Sequence, residues 1–121
     1  MVNPFTELST RLAGLERLKG EGAVLSIGYE ATASRDGEVI GLAYRGTRFA
    51  VLTESTLTVW HNHTWVSKTL QRRINSTLRP YGRVMVIRDG KAYIADSEAG
   101  GLVPFPANEP FTITPREGHT K

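Results

Sequence analysis

The chain of 121 residues contains no cysteine. A disulfide framework, a thiolate zinc site and a cysteine nucleophile are therefore excluded, and the redox compartment is left open. Long apolar runs are missing too: no stretch reaches the eighteen or so consecutive apolar residues of a membrane-spanning helix. The opening MVNPFTELSTRL has no basic flank leading into an apolar segment of the secretory kind. These absences predict a soluble intracellular protein with no membrane association. Catalytic patterns are equally scarce. There is no phosphate-loop glycine pattern and no nucleophile elbow. Asp36 with Glu38, and Asp96 with Glu98, are carboxylate pairs near turns or strand ends, where surface placement explains them. His61 and His63 could share one side of a strand, but the only other histidine is His119 and no carboxylate is near in sequence. The reading is a protein that is not an enzyme and has no metal and no cofactor.

What is present is an uneven charge. The formal net charge is +3, but residues 64–91 hold Lys68, Arg72, Arg73, Arg79, Arg83, Arg88 and Lys91 against Asp89 alone. That window carries +6 and the remainder −3. A local field of this sign favours phosphate-bearing partners over neutral ones.

With 40% hydrophobic residues, a chain of this length builds one modest core and a single domain over residues 1–121. Phe5, Leu8, Leu12, Leu15 and Leu18 recur at three- and four-residue spacing, which predicts an amphipathic helix within residues 1–20, started near Pro4 and stopped by Gly20 and Gly22. Residues 23–29, 38–44, 48–53 and 56–60 are short runs rich in β-branched and aromatic side chains. Turn chemistry at residues 34–37, 45–46 and 54–55 separates them, so antiparallel strands are expected. Leu70, Ile74 and Leu78 at four-residue spacing predict a short helix over residues 69–79, closed by Pro80. On that helix Arg72, Ser76 and Arg79 fall opposite the apolar stripe, with Arg73 and Asn75 on its two flanks. Strands at 83–88 and 91–96 flank an Asp89-Gly90 turn, and residues 102–105 add a short strand. The Arg-Asp-Gly at Arg35 and again at Arg88 suggests two similar hairpin turns. The tail, 106–121, is expected to be extended, with Phe111 and Ile113 available as one more sheet edge. The fold class is α+β: a twisted antiparallel sheet across residues 23–105 with an amphipathic N-terminal helix and one short helix packed on it.

The stretch TWVSKTLQRRIN, residues 64–75, is where the charge and the second helix meet. In an extended segment Trp65, Ser67 and Thr69 point one way, so an aromatic and two hydroxyls share a face that leads into a helix N-terminus, where free N–H groups favour an anion. Arg72 and Arg73 add planar forks for a phosphate, and Trp65 a stacking surface for a base. Trp65, Ser67, Thr69, Arg72, Arg73 and Asn75 are accordingly the candidate ligand-binding residues. The structural alternative is that Ser67 or Thr69 caps the helix and Trp65 belongs to the core.

The run WVSKTLQRRIN resembles a motif in small bacteriophage-encoded proteins, Trp-Arg-Thr-x-Thr-Thr-Lys-x-Arg-Ile-Asn. Trp65, Thr69, Arg73, Ile74 and Asn75 match, and Ser67 replaces a threonine. The likeness continues through YGRVMVIRDGKAYIADSEAGGLVPF, residues 81–105, and covers about half the chain, residues 47–105, without the N-terminal helix. Val66, Leu70 and Gln71 depart from it where an arginine, a threonine and a lysine are usual. More loosely, the order of strands, hydroxyl-rich turn and short helix resembles the phage sponges that counter Thoeris and CBASS-type immune systems. That resemblance implies noncatalytic sequestration of a cyclic ADP-ribose or cyclic-oligonucleotide signal in the host cytoplasm by a homo-oligomer, assembled through the N-terminal helix or the sheet. Two alternatives stand beside it. One is a nucleic-acid-binding accessory protein whose basic window tracks a phosphate backbone while Trp65 or Tyr81 stacks on bases. The other is a structural or host-interaction protein that uses the N-terminal helix as an assembly surface.

Overall fold

A computed structural model describes residues 4–20, 22–28, 30–61, 68–96 and 100–114. The fold is α+β. Helix α1, Pro4–Lys19, begins on a proline whose missing N–H costs nothing in a first turn. It ends where the Gly20 N–H bonds the Glu16 carbonyl at 2.7 Å, with Gly20 at φ 88. Five strands follow as a meander: β1, Val24–Gly28; β2, Ala31–Asp36; β3, Val39–Tyr44; β4, Thr47–Leu52; and β5, Leu57–Val59. Helix α2, Lys68–Leu78, runs into a 3₁₀ turn, Arg79–Tyr81, and then come β6, Arg83–Arg88, β7, Lys91–Asp96, β8, Leu102–Pro104, and β9, Phe111–Ile113.

The single sheet expected from the sequence divides in two. One sheet has the order β1-β2-β3-β4-β5-β9 and the other β6-β7-β8, with every pairing antiparallel. The tail strand β9 does lay an edge on β5, with Leu57 opposite Ile113. Strand β2 was not legible. Its sequence, ATASRD, has little of the bulky β-branched character that marks strands, and pairing on both sides compensates. Nor do the two Arg-Asp-Gly tripeptides make the same turn. Asp36 is the last residue of β2, opposite Val39, so Gly37 and Glu38 form that turn and only Gly37 has positive φ. Around the second, Arg88 pairs with Lys91, so Asp89 and Gly90 are the central residues, at φ 52 and 76. Arg45 and Gly46 repeat this second form, at φ 51 and 80, between Tyr44 and Thr47. Positive φ at both central positions is the hairpin geometry that matches strand twist.

Register aligns the core. Ala33, Leu42, Ala50 and Val59 lie in one cross-strand row, and Ile40, Leu52, Leu57 and Ile113 in the next; all are buried. Helix α1 packs on β1, β2 and β3, with Leu12 fully buried. Arg35 pairs with Ile40 and so shares the core face. There it latches α1, with Nε 3.3 Å from Glu16 Oε1 and an Nη 3.2 Å from the Ser9 carbonyl. The helix is thus docked within its own chain, although Leu18 at its end remains 85% exposed. Leu70, Ile74 and Leu78 of α2, the stripe expected, join Met85, Ile94 and Phe105 in the same core.

Candidate anion-binding site

Helix α2 has four sides, and each does something different. Its apolar stripe faces the core. On one flank Asn75 reaches β6: its Oδ1 accepts the Met85 N–H at 2.5 Å, and its amide group donates to the Met85 carbonyl at 3.4 Å. Gln71 donates to the same carbonyl at 3.2 Å. Strand β6 pairs with β7 on its other side, so these amides satisfy its outer edge as a neighbouring strand would. Both polar atoms of Asn75 are committed to the backbone, and its role here is to hold the fold.

On the other flank Arg73 crosses to β1. A Cβ built on Gly28 would fall 2.1 Å from one Arg73 Nη and 2.9 Å from Cζ, so the guanidinium rests where Gly28 has no side chain. Its Nε is buried without a hydrogen-bond partner. The outer side carries Arg72, Ser76 and Arg79, all exposed. The Ser76 hydroxyl donates to the Arg72 carbonyl at 3.0 Å, which leaves its oxygen free to accept. Arg72, Arg73, Asn75, Ser76 and Arg79 line one open hollow of about 380 Å³. Among the described residues none of these three arginines makes an ion pair.

Arg73 and Ser76 also border a second hollow of about 160 Å³. It lies between the two helices, over the sheet: Pro4, Leu8 and Arg11 come from α1, Ile27, Ala31, Leu42, Phe49 and Leu52 from the sheet, and Ser76 and Thr77 from α2. Arg73 and Ser76 are common to both hollows, and Arg73 is the cation they share.

The remaining candidates are placed differently. Thr69 lies half-buried in the first turn of α2, beside exposed Lys68. Trp65 and Ser67 fall outside the described residues, as does His63. The basic window is not one track. Arg83 is held by Asp96 at 3.4 Å and donates to the Tyr81 carbonyl at 3.1 Å, while Arg88 and Lys91 sit at the tip of the β6-β7 hairpin. Tyr81, offered as a stacking surface in the nucleic-acid alternative, is 2% exposed and cannot stack on a base; burial pushes its hydroxyl pKa up to about 12.

No protein-family model, curated protein or solved structure matches the chain. Its chemistry is therefore read from its own residues. His61 is buried against Phe105, with Nε2 donating to the Phe105 carbonyl at 2.8 Å and Nδ1 left without a partner. It borders a third hollow of about 420 Å³ that also carries Lys91, Tyr93, Phe105 and three of its neighbours, Pro104, Pro106 and Ala107. Among the described residues no three histidine or carboxylate side chains converge as a metal site, and no helix is long and apolar enough to cross a membrane.

Sequence reasoning missed Arg11, Gly28 and Thr77. Arg11 had a weak signal, since it flanks the α1 stripe between Leu8 and Leu12. Gly28 had none, because what occupies the space above it comes from a helix more than forty positions away.

Proposed function

We propose that this protein binds a phosphate-bearing nucleotide signal, of the cyclic ADP-ribose or cyclic-oligonucleotide kind, and sequesters it without chemical conversion. The observation that carries the proposal is the convergence of Arg72, Arg73 and Arg79 on one hollow with no carboxylate of the described residues paired to them. Guanidinium groups spent on structure are normally paired, as Arg35, Arg48 and Arg83 are here. Three left free around a concavity form an anion receptor, and their forks suit phosphate oxygens. A hollow of about 380 Å³ is in the range of small-molecule sites. Ser76 and Thr69 add hydroxyls on the same helix. The likeness of residues 65–75 to a phage motif supports the context: an anti-defence protein acting in the host cytoplasm, working as a homo-oligomer.

Calorimetric titration with cyclic ADP-ribose isomers and cyclic dinucleotides tests the reading. At least one should bind the parent, and Arg73→Ala should bind it more weakly. A parent that ignores every nucleotide offered refutes the proposal. Submicromolar, salt-sensitive binding to random single-stranded oligonucleotides would instead select the nucleic-acid alternative. Sedimentation at micromolar concentration checks the assembly, for which a homodimer is expected and a monomer is the contrary result.

A further inference from the structure

We infer that the outer face of the three-stranded sheet docks an amphipathic, acidic helix of another protein, with the apolar stripe of that helix on the sheet and its carboxylates over Arg88 and Lys91. This surface is independent of the nucleotide reading, which uses α2.

Met85, Ile94 and Val103 form one cross-strand row of the sheet, and Met85 and Ile94 are buried in the core. Side chains alternate along a strand, so the adjacent rows point the other way. Those rows are Val84, Ala95 and Leu102, then Val86, Tyr93 and Pro104, and last Arg88 with Lys91. Six apolar side chains and two cations make up this outer face, and none of the six belongs to the core cluster or packs against it. An antiparallel sheet with one face in water alternates apolar with polar residues. Strands covered on both sides read instead as continuous apolar runs, as VMVI and AYIA do here.

Charge decides what covers it. Arg88 and Lys91 stand directly opposite each other, both exposed, in a like-charge pair that is unfavourable by itself. Among the described residues neither makes an ion pair, even with Asp89 in the turn between them. A partner with carboxylates relieves that repulsion. A second copy does not, since stacked face to face it would bring two more cations and no carboxylate. Nor do the chain's own residues 62–67, which hold no carboxylate, or 115–121, where Glu117 is set against Arg116 and Lys121.

Shape selects the element. Three strands are about 10 Å across and six residues about 20 Å long, the footprint of one helix of about thirteen residues. Val84, Val86, Tyr93 and Ala95 are half-buried, and beside Tyr93 and Pro104 opens the hollow of about 420 Å³ that Lys91 also borders. A protein side chain can enter that hollow. A lipid surface would leave it unfilled.

The test uses two fluorescein-labelled helical peptides of about fourteen residues, followed by fluorescence anisotropy with the full chain. Both carry the same leucine stripe on an alanine background; one has glutamates and the other lysines at the polar positions of both end turns. The parent should bind the acidic peptide roughly tenfold or more tightly than the basic one. Arg88→Glu combined with Lys91→Glu should reverse that order, and because the swap keeps a like-charge pair in the hairpin, folding should be little changed. Ala95→Glu, in the middle of the face, should abolish binding of the acidic peptide while circular dichroism stays that of the parent. Leu102→Lys, at a position already 39% exposed, is the second variant should Ala95→Glu fail to fold, and it should weaken binding roughly tenfold. Equal affinity for the two peptides, an order unchanged by the charge swap, or no binding at all overturns the inference. So does cosedimentation of the parent with phosphatidylserine vesicles while neither peptide binds, which would assign the face to a membrane. A parent dimer that Ala95→Glu dissociates would assign it to a second copy and overturn the inference as well.

Discussion

Asn75→Ala separates a fold-holding amide from a ligand-binding one. In the structure Asn75 Oδ1 is the acceptor for the Met85 N–H, at 2.5 Å, and Met85 is 1% exposed. Truncation leaves a buried donor with nothing to bond, which costs about 1–3 kcal/mol. Alanine favours the helix over asparagine by roughly 0.5 kcal/mol, so the net loss should be about 0.5–2.5 kcal/mol. For a chain of this size each kcal/mol moves the melting temperature by about 3–6 °C. The carbonyl of Met85 is not orphaned, because Gln71 still donates to it at 3.2 Å. That makes two controls informative. Asn75→Asp keeps an acceptor for the N–H but sets a carboxylate oxygen against the Met85 carbonyl in place of the donor, so it should still melt below the parent. Gln71→Ala leaves Asn75 on both atoms and should cost less than about 1 kcal/mol. Thermal melting by circular dichroism, paired with calorimetric nucleotide titration, reads the result. If Asn75→Ala melts with the parent and loses ligand affinity, the amide belongs to the binding site and the strand-edge role is refuted.

The other expectations concern a cation, a core side chain and a buried phenol. Arg73→Ala should weaken nucleotide binding roughly tenfold or more through loss of a charge-assisted hydrogen bond, with melting little changed; Arg73→Lys should recover only part, since the fork is gone. A melting temperature far below the parent would assign Arg73 to the fold. Leu12→Ala should cost about 2–5 kcal/mol, because the side chain is fully buried under α1, and urea unfolding near the parent's midpoint would contradict that packing. Tyr81, raised to about 12, is held neutral by burial, so its contribution is complete below its unfolded value of 10 and is lost as pH rises through 12. A decline of up to about 2–3 kcal/mol over that interval is expected by urea unfolding, and Tyr81→Phe should lack it; an identical decline in the variant would place the titration elsewhere.

Several of these expectations could be written from the sequence because their causes are local. The stripe of Leu70, Ile74 and Leu78 follows from the helical repeat, and all three are buried as expected. Arg72, Ser76 and Arg79 face solvent for the same reason, since an amphipathic helix turns its opposite side outward. Arg45-Gly46 and Asp89-Gly90 make tight hairpins because those residues tolerate positive φ within the turn itself. The α+β class followed from these periodicities together.

Arg73 and Asn75 show where local reasoning ends. On a helical wheel they are equivalent, one on each flank of the stripe, yet Asn75 bonds the backbone of β6 while Arg73 lies over Gly28 with its Nε unpaired. What distinguishes them is which neighbour stands beside each flank, and that depends on the pairing of strands far apart in the chain. Strand β2 is hidden for a related reason: ATASRD has weak strand character alone and becomes a strand because β1 and β3 supply hydrogen bonds on both sides. The division into two sheets, the docking of α1 through Leu12 and Arg35, and the slot between the helices belong to the same class. Backbone geometry over three or four residues decides which side chains share a face, and the sequence carries that information directly. Which surface meets that face is decided by contacts whose cost is closure of a long loop and whose gain appears only when the whole core assembles.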